Sequence, residues 1–394
     1  MLTLLQINIS ANWGSTGKIA EQIGLCAMAK GWESYIAYGE IANPSKSHLI
    51  RVSNRMNQYL HFAEQRVFDN EGQCSRIVTR RFIETIKRIN PDVVQLHNIH
   101  DHYLNYRILF EYLNQTNIKV VWTFHDCWAF TGHCMHFVTK DCDRWKTGCH
   151  DCLMRGDHPK TVLDRCNRNW NLKKELFLSN KNLNIVACSD WIANYVRESF
   201  FKDKPLTVIH NGIDLNVFRR IEVEKESSKF EVLAVSNVWS KEKGLEDIFQ
   251  LRAMLPDDVR IKMIGLTKEQ ISALPVDIVG VERTQNVEEL VRYYSLADVL
   301  INPTYADTFP TVNLEALACG VPVITYQTGG SPEAVDERTG IVVPQGDVVA
   351  IADAINTIRS TPLSRQDCRD RVFTLFDQEK CFLSYISLYE RLID

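Results

Sequence analysis

Two acids, Asp307 and Glu315, bracket the segment Phe309-Pro310-Thr311-Val312 in the second half of the chain. Carboxylates accept hydrogen bonds from hydroxyls, and backbone N–H groups at the start of a helix can meet an anion. Upstream stands Lys243-Gly244, an ammonium suited to neutralising charge that develops on a leaving group. In the first half, His125 follows the apolar run 118–124 and would stand at a strand end, where an imidazole can accept or donate a proton near neutral pH. Gly14 lies in NWGSTGK (12–18), a glycine-containing loop able to bring amides close to a phosphate, although the spacing GxxxxGK[ST] is absent. Each has an ordinary alternative: solvated acids, a surface lysine, a structural histidine, a tight turn.

Sulfur supplies a further constellation. Half of the 12 cysteines fall in one short stretch, as Cys127, Cys134, Cys142, Cys149, Cys152 and Cys166. Cys149-x2-Cys152 has the form of a metal knuckle, and Cys134 with Cys142 could complete a tetrahedral thiolate set for zinc. His133, His136, His150 and His158 are rival ligands, and a small buried loop that uses thiols as hydrophobes is the plain alternative. The expectation is a structural zinc that stiffens the segment after His125 and takes no part in chemistry.

The elements that would position these groups are legible as alternating strands and helices. A strand at 298–302 ends in a proline turn, and a short acidic loop follows. Pro310 then suits the first turn of a helix, with Gly320 just past its end. A strand at 321–325 leads to Gly329-Gly330. This order describes a right-handed parallel unit, whose ligands bind at the strand C-terminal ends, and Asp307 and Glu315 fall there. Further strands are expected at 2–9, 34–38, 92–96, 118–124, 184–189 and 206–210, then at 230–235, 260–264, 276–279 and 341–343. The charged run RRIEVEKESSK reads as a linker. The fold class is therefore α/β, with two Rossmann-like doubly wound domains. The expected divisions are 1–217 with a Cys-rich insertion at 127–166, a linker at 218–229, a domain at 230–379 and a last helix at 380–394.

The series Asp307, Glu315-Ala316, Gly320-Val321-Pro322 and Gly329-Gly330-Ser331-Pro332-Glu333 resembles the donor site of glycosyltransferase family 4, retaining enzymes of the GT-B fold. That family carries Glu-x7-Glu, then Ala, a small residue, Gly and Pro, then Gly-Gly-x-x-Glu. Here the first acid is Asp, one methylene shorter. The Arg that commonly precedes Lys-Gly is missing, with Asn237 and Val238 in its place and Trp239 and Lys241 nearby. The resemblance implies two domains facing across a cleft and a nucleotide-diphosphate sugar, UDP- or GDP-linked, as donor. It implies donor binding by Gly14, Lys243, Asp307, Phe309, Pro310, Thr311, Val312 and Glu315, with Glu315 on the ribose and His125 and Asp307 at the reacting centre. It further implies transfer of a hexosyl or N-acetylhexosaminyl group to a glycan or lipid-linked glycan, in capsular, exopolysaccharide or lipopolysaccharide synthesis. No cofactor is needed for the transfer itself, and the last helix would pack back on the first domain. The run Gln95–His100 would sit near the acceptor or in the core, and His210-Asn211-Gly212-Ile213-Asp214 resembles the turn that closes the first domain. Two rival readings remain at this level: a nucleotide-sugar epimerase on the same fold, and a non-catalytic binding protein.

Composition sets outer bounds. A chain of 394 residues exceeds one ordinary core, and 45% hydrophobic with 24% charged residues suits a soluble globular protein. No apolar run approaches the roughly 20 residues that span a bilayer. The start MLTLLQINIS lacks a basic n-region, so a cytoplasmic protein with reduced thiols is expected. Net charge of −4 divides unevenly: 26 Lys/Arg against 21 Asp/Glu through residue 215 gives +5, and 19 against 28 thereafter gives −9. The basic half suits an anionic membrane face or phosphorylated acceptors, and no nucleic-acid partner is expected. Its densest part places Arg76, Arg80, Arg81, Lys87 and Arg88 among Ile77, Phe82, Ile83 and Ile86. That pattern fits a solvated helix face over a core stripe, with peripheral membrane contact at the inner face of the cell membrane as the bolder reading.

Overall fold

Strands covered on both faces read as near-continuous apolar runs, and this chain has two sets of them. The computed structural model describes residues 1–225 and 227–394. One unit comprises Met1–Ile209 with Phe382–Asp394, the other His210–Cys381. The first holds β1 (Thr3–Asn8), β2 (Glu33–Tyr38), β3 (His48–Arg51), β4 (Val93–Leu96), β5 (Lys119–Phe124), β6 (Leu183–Ala187) and β7 (Leu206–Val208). The second holds β8 (Phe230–Val235), β9 (Val259–Ile264), β10 (Ile278–Val281), β11 (Val299–Asn302), β12 (Val323–Tyr326) and β13 (Gly340–Val343).

Both sheets are parallel, ordered β3-β2-β1-β4-β5-β6-β7 and β10-β9-β8-β11-β12-β13. In each, strand order reverses beside the first strand: β1 pairs β4 through Leu4↔Val93, and β8 pairs β11 through Val299↔Val232. Loops leaving these adjacent strands diverge to opposite sides and open a crevice at the strand C-terminal ends, where ligands of such sheets bind. The architecture is α/β with two Rossmann-like domains.

The helix Gln378–Ile393 carries Phe382, Tyr385, Ile386 and Tyr389 at helical spacing, all at most 2% exposed and clustered with Leu4, Ile19, Trp32 and Val93 of the first unit. Tyr389 Oη donates to Gln95 Oε1 at 2.9 Å, and Thr123 Oγ1 donates to Tyr385 Oη at 3.2 Å, so the buried phenols are satisfied.

Several boundaries differ from the sequence expectation for physical reasons. β3 was not expected: it is an edge strand with His48 and Arg51 among its four residues and little burial. The first helix starts at Gly14 rather than after Lys18, because Gly17 is packed against the turn before it; a Cβ there would lie 2.7 Å from Ser10 Oγ. The units divide at Ile209/His210 rather than at 217, since Ile213 bridges Asp377 and Gly212 abuts Gln378. Pro310 is the N-cap of helix Thr311–Ala318, one residue outside it.

Candidate active site

In the second unit the loops after β8 and β11 carry the charged groups. The turn Lys241–Lys243 ends at Gly244, whose φ of +74° and position, with a Cβ only 2.3 Å from Pro303 O, admit only glycine. Lys243 Nζ therefore stands over the β11 loop, 2.9 Å from Asp307 Oδ2 and 3.4 Å from Thr304 Oγ1. Asp307 Oδ1 accepts the Phe309 N–H at 3.2 Å. Its carbonyl accepts from Gly330 N at 3.2 Å, and Gly329, at φ +54°, lies so close that a Cβ would stand 1.7 Å from that oxygen. The double glycine is thus what lets one loop close on the other.

The Phe309–Val312 segment needs correction as a donor of free amides. The Phe309 N–H is engaged by Asp307, and Pro310 has none to offer. Thr311 and Val312 open the helix Thr311–Ala318, and their amides have no carbonyl partner within it. On the same helix Glu315 Oε2 accepts from Tyr294 Oη at 2.8 Å; burial, then the Glu315 charge, hold the Tyr294 hydroxyl protonated well above its usual range. The Phe309 ring is buried, 5.0 Å from the His210 ring, and His210 Nε2 meets Glu333 Oε2 at 3.0 Å. His210 was read from sequence as part of a structural turn; the structure sets it against the Phe309 loop. Trp239 belongs to the core, its Nε1 donating to Ile264 O at 2.8 Å, while Asn237, Val238 and Lys241 are exposed.

The first unit's crevice is wired differently. Gln6 Nε2 donates to Ala20 O at 2.6 Å, which turns Gln6 Oε1 toward His97 Nε2 at 3.2 Å. An oxygen can only accept, so His97 carries its proton on Nε2. Burial, then the neighbouring His125, hold His97 neutral well below the usual imidazole range, so its Nδ1 is an acceptor. His125 Nε2, 3.1 Å away, must donate to it. Burial depresses His125 to about 4, only partly opposed by Asp126, so His125 is neutral and its Nδ1 presents a lone pair. The chain of bonds therefore fixes one tautomer.

Beside it lies a buried ion network. Burial disfavours a charge on His100, but Asp126 at 2.9 Å and Asp101 at 3.4 Å outweigh it, raising His100 well above the ordinary value. Burial opposes ionisation of Asp126 too, yet His100 draws it down to about 2, and Trp128 N donates to its second oxygen at 2.8 Å. Glu71, His100 and Asp101 bring one donor atom each within 4.8 Å. Burial pushes Glu71 up to about 7, against the pull of the neighbouring His100. Lys173 is buried, donates to Trp128 O at 2.7 Å and Thr131 O at 3.1 Å, and lies over the Trp128 ring. Gly14 opens the helix Gly14–Ala29 at φ +65° with open space around it, and the Asn8 side chain bridges Ser10 O, Thr16 Oγ1 and Asn98 N.

The cysteine segment folds around a cavity of about 20 Å³ that Cys134, Cys142, Cys149, Cys152, Cys166 and His133 all line. Cys127 is buried elsewhere in the core. Cys149 Sγ accepts from Gly132 N at 3.2 Å, and Cys152 accepts from the Met154 amide. Asp164 ties two of the thiol-bearing residues together, accepting from Cys152 N at 2.6 Å and Cys166 N at 3.0 Å. Cys166 was outside the sequence-derived ligand set, and nothing in its spacing marks it. Among the described residues no three of these sulfurs lie within 4.8 Å of one another.

A lysine, helix amides and carboxylates at the switch point of a Rossmann-like domain are chemically suited to an anionic, hydroxyl-bearing ligand. A family model described as glycosyl transferases group 1 matches residues 229–360, and one described as glycosyltransferase family 4 matches 29–217. Between them these two glycosyltransferase models take in most of the chain, which is a glycosyltransferase of the GT-B fold. It is 22% identical over 420 residues to a putative colanic acid biosynthesis glycosyl transferase, WcaC, of Escherichia coli K12, covering 99% of this chain and 100% of that one. Sucrose-phosphate synthase from Thermosynechococcus elongatus superposes with a TM-score of 0.75 at 19% identity, covering 100% and 99% of the two chains. Anabaena HepE in complex with UDP-glucose gives 0.65 at 14% identity, covering 99% and 100%. The chain is thus an enzyme, a glycosyltransferase, which displaces the epimerase and non-catalytic readings.

Proposed function

We propose that the chain is a retaining transferase that moves a sugar from a nucleotide-diphosphate sugar to a glycan or lipid-linked glycan during bacterial surface polysaccharide synthesis. The observation that carries this is Lys243 held 2.9 Å from Asp307, on the loop that leads to the amides of Thr311 and Val312 at a helix start. A cation and a helix N-terminus together suit a diphosphate. Lys243 and these amides would take up charge on the departing diphosphate, Asp307 would hold the sugar, and Glu315 the ribose hydroxyls. His125 Nδ1 would accept a hydrogen bond from a sugar hydroxyl. In a front-side transfer the anomeric carbon–phosphate oxygen bond breaks and the acceptor oxygen bonds the same face. The acceptor's proton passes to the leaving phosphate, so no protein nucleophile is needed. A relative named for colanic acid biosynthesis and a neighbour solved with UDP-glucose support this reading. The acceptors of such a pathway would place the protein in the cytoplasm, at the inner membrane face. Nucleotide release from a panel of UDP-, GDP- and ADP-sugars, with and without lipid-linked acceptors, tests it. One donor that binds and turns over, with affinity lost in Glu315→Gln, is expected; no binding of any donor at millimolar concentration would sink it.

We also propose that the cysteine cavity holds one structural ion of the zinc class. Soft thiolates in excess of four around an ion-sized space, two of them accepting backbone N–H bonds, fit that group. Sulfurs 2.3 Å from a tetrahedral ion stand roughly 3.8 Å apart, so seating one would draw the side chains inward. The ion would fasten Cys149 and Cys152 to the segment that carries Gly132 and Thr131, and through Lys173 to Trp128 and Asp126. About one metal per chain in protein purified without chelator, lost in Cys149→Ser, is expected. Metal-free protein of unchanged thermal stability would remove the idea.

A further inference from the structure

The helix Arg55–Phe68 is built inside out. Its inward side is polar: His61 and Gln65 are 1% and 2% exposed. Gly72 N donates to His61 Nε2 at 3.2 Å, so the ring, held neutral mainly by burial, donates from Nδ1 to Ser75 Oγ at 2.8 Å. Gln65 Nε2 reaches Lys160 O at 3.3 Å and Gln58 Nε2 reaches Gly39 O at 2.6 Å. Hydrogen bonds rather than apolar packing seat this helix. Its outward side is apolar: Met56, Tyr59 and Leu60 are 74%, 72% and 66% exposed, and Ala63 and Val67 continue the same helical face.

Single exposed apolar residues need no explanation, but a continuous stripe does. The stripe runs on past the helix: Val162 and Leu163 are exposed, held there by Val162 N to Arg66 O at 2.9 Å and Leu163 N to Val67 O at 3.1 Å. Its surroundings are cationic. Arg55 and Arg66 are exposed on the helix itself, and Arg76, Arg80 and Arg81 on the next one, Arg76–Ile89, whose N-cap Ser75 is bonded to His61. The expected core stripe of that second helix is only partly right, since Ile77 is 67% exposed and extends the apolar surface.

We propose that this face docks on an anionic lipid surface, with Met56, Tyr59, Leu60 and Val67 among the acyl chains and the arginines at headgroup level. A 14-residue helix is about 21 Å long, suited to lying in the interface plane. Among the described residues no helix is long and apolar enough to cross a membrane. A second copy of the chain fits less well, because a two-fold contact would set one arginine-rich rim against another. The proposal is independent of the transfer chemistry and is read by binding alone.

The test is sedimentation of the full chain with vesicles of phosphatidylcholine alone and of equal parts phosphatidylcholine and phosphatidylglycerol. Binding to the anionic vesicles only, weakened by salt, is expected. Tyr59→Asp with Leu60→Asp should lower partitioning by about tenfold or more, and Arg80→Ser with Arg81→Ser by about fivefold or more. Both pairs should keep the wild-type Tm, because the side chains are exposed. No sedimentation with anionic vesicles, or equal sedimentation of wild type and the Tyr59/Leu60 variant, overturns the proposal. So does a dimer in light scattering that the Tyr59/Leu60 variant dissociates while vesicles leave it intact; the face would then belong to a second copy.

Discussion

The two units share a strand order, yet the crevices at their reversal points are made of different material. After β8 and β11 the groups are partly exposed and few: one ammonium, two carboxylates, two amides at a helix start. After β4 and β5 they are dense and more deeply set: His97 and His100 buried, His125, Asp101 and Asp126 half-buried, each fixed by a neighbour. The first arrangement pairs Lys243 with Asp307 at a partly exposed position, where a ligand can compete for the charge. The second has spent most of its charge on itself, and what it offers is direction: one imidazole tautomer, with the lone pair on His125 Nδ1. The same backbone plan can thus carry an electrostatic site or a positional one, depending on how much of its polar inventory is buried.

If that contrast is right, the sites should fail differently. Lys243→Ala should lower kcat by about a hundredfold or more with the fold intact, as removal of a charge-stabilising donor does; wild-type turnover with unchanged Tm would erase the electrostatic half of the comparison. Next, His97→Phe removes the acceptor that orients His125. It should lower kcat by about tenfold and change the His125 ring-nitrogen shifts in NMR, and unaltered shifts would show that the chain of bonds does not set the tautomer. Third comes pH. His100 is raised when folded, so its pairing with Asp126 stabilises fully below the unfolded imidazole value of about 6.5 and fades as pH passes the folded one. Asp126 is depressed to about 2, so its share is present above about 4 and is lost as pH falls toward 2. The Tm deficit of Asp126→Asn should therefore be largest between those limits and shrink as pH rises; a deficit independent of pH would make the network mere packing. The smallest effect is Tyr294→Phe, which strips one donor from Glu315 and should weaken nucleotide binding by about 1 kcal/mol, read by calorimetry.

Much of the frame was legible because both sheets are covered on two faces and their strands are apolar runs. β8 was placed residue for residue. β3 was not, since an exposed edge strand reading HLIR has no such run. Asp307 and Glu315 could be singled out because their spacing lies within one strand–loop–helix pattern, and Lys243 because Lys-Gly follows the first strand of the second domain. The pairing of His97 with His125 could not, since it depends on β4 and β5 being neighbours, and so on strand order rather than on sequence distance. The contact of His210 with Phe309 was hidden too, since it joins segments far apart in sequence. Helix Arg55–Phe68 misleads in another way: apolar residues at helical spacing imply a buried face, and only the hydrogen bonds of His61 and Gln65 show which side is in.

The last helix has a consequence for how the chain is made. Phe382, Tyr385, Ile386 and Tyr389 complete a core whose other members include Leu4, Ile19 and Trp32, which are made long before them. The second unit ends at Cys381, so its sequence is complete while the earlier one still lacks its closing side chains. Synthesis order and folding order are therefore inverted: the earlier domain lacks part of its core until the helix carrying Phe382 and Tyr389 has been made, whereas domains usually fold as they emerge. A chain stopped short of Phe382 would release a finished second domain attached to an unfinished first one.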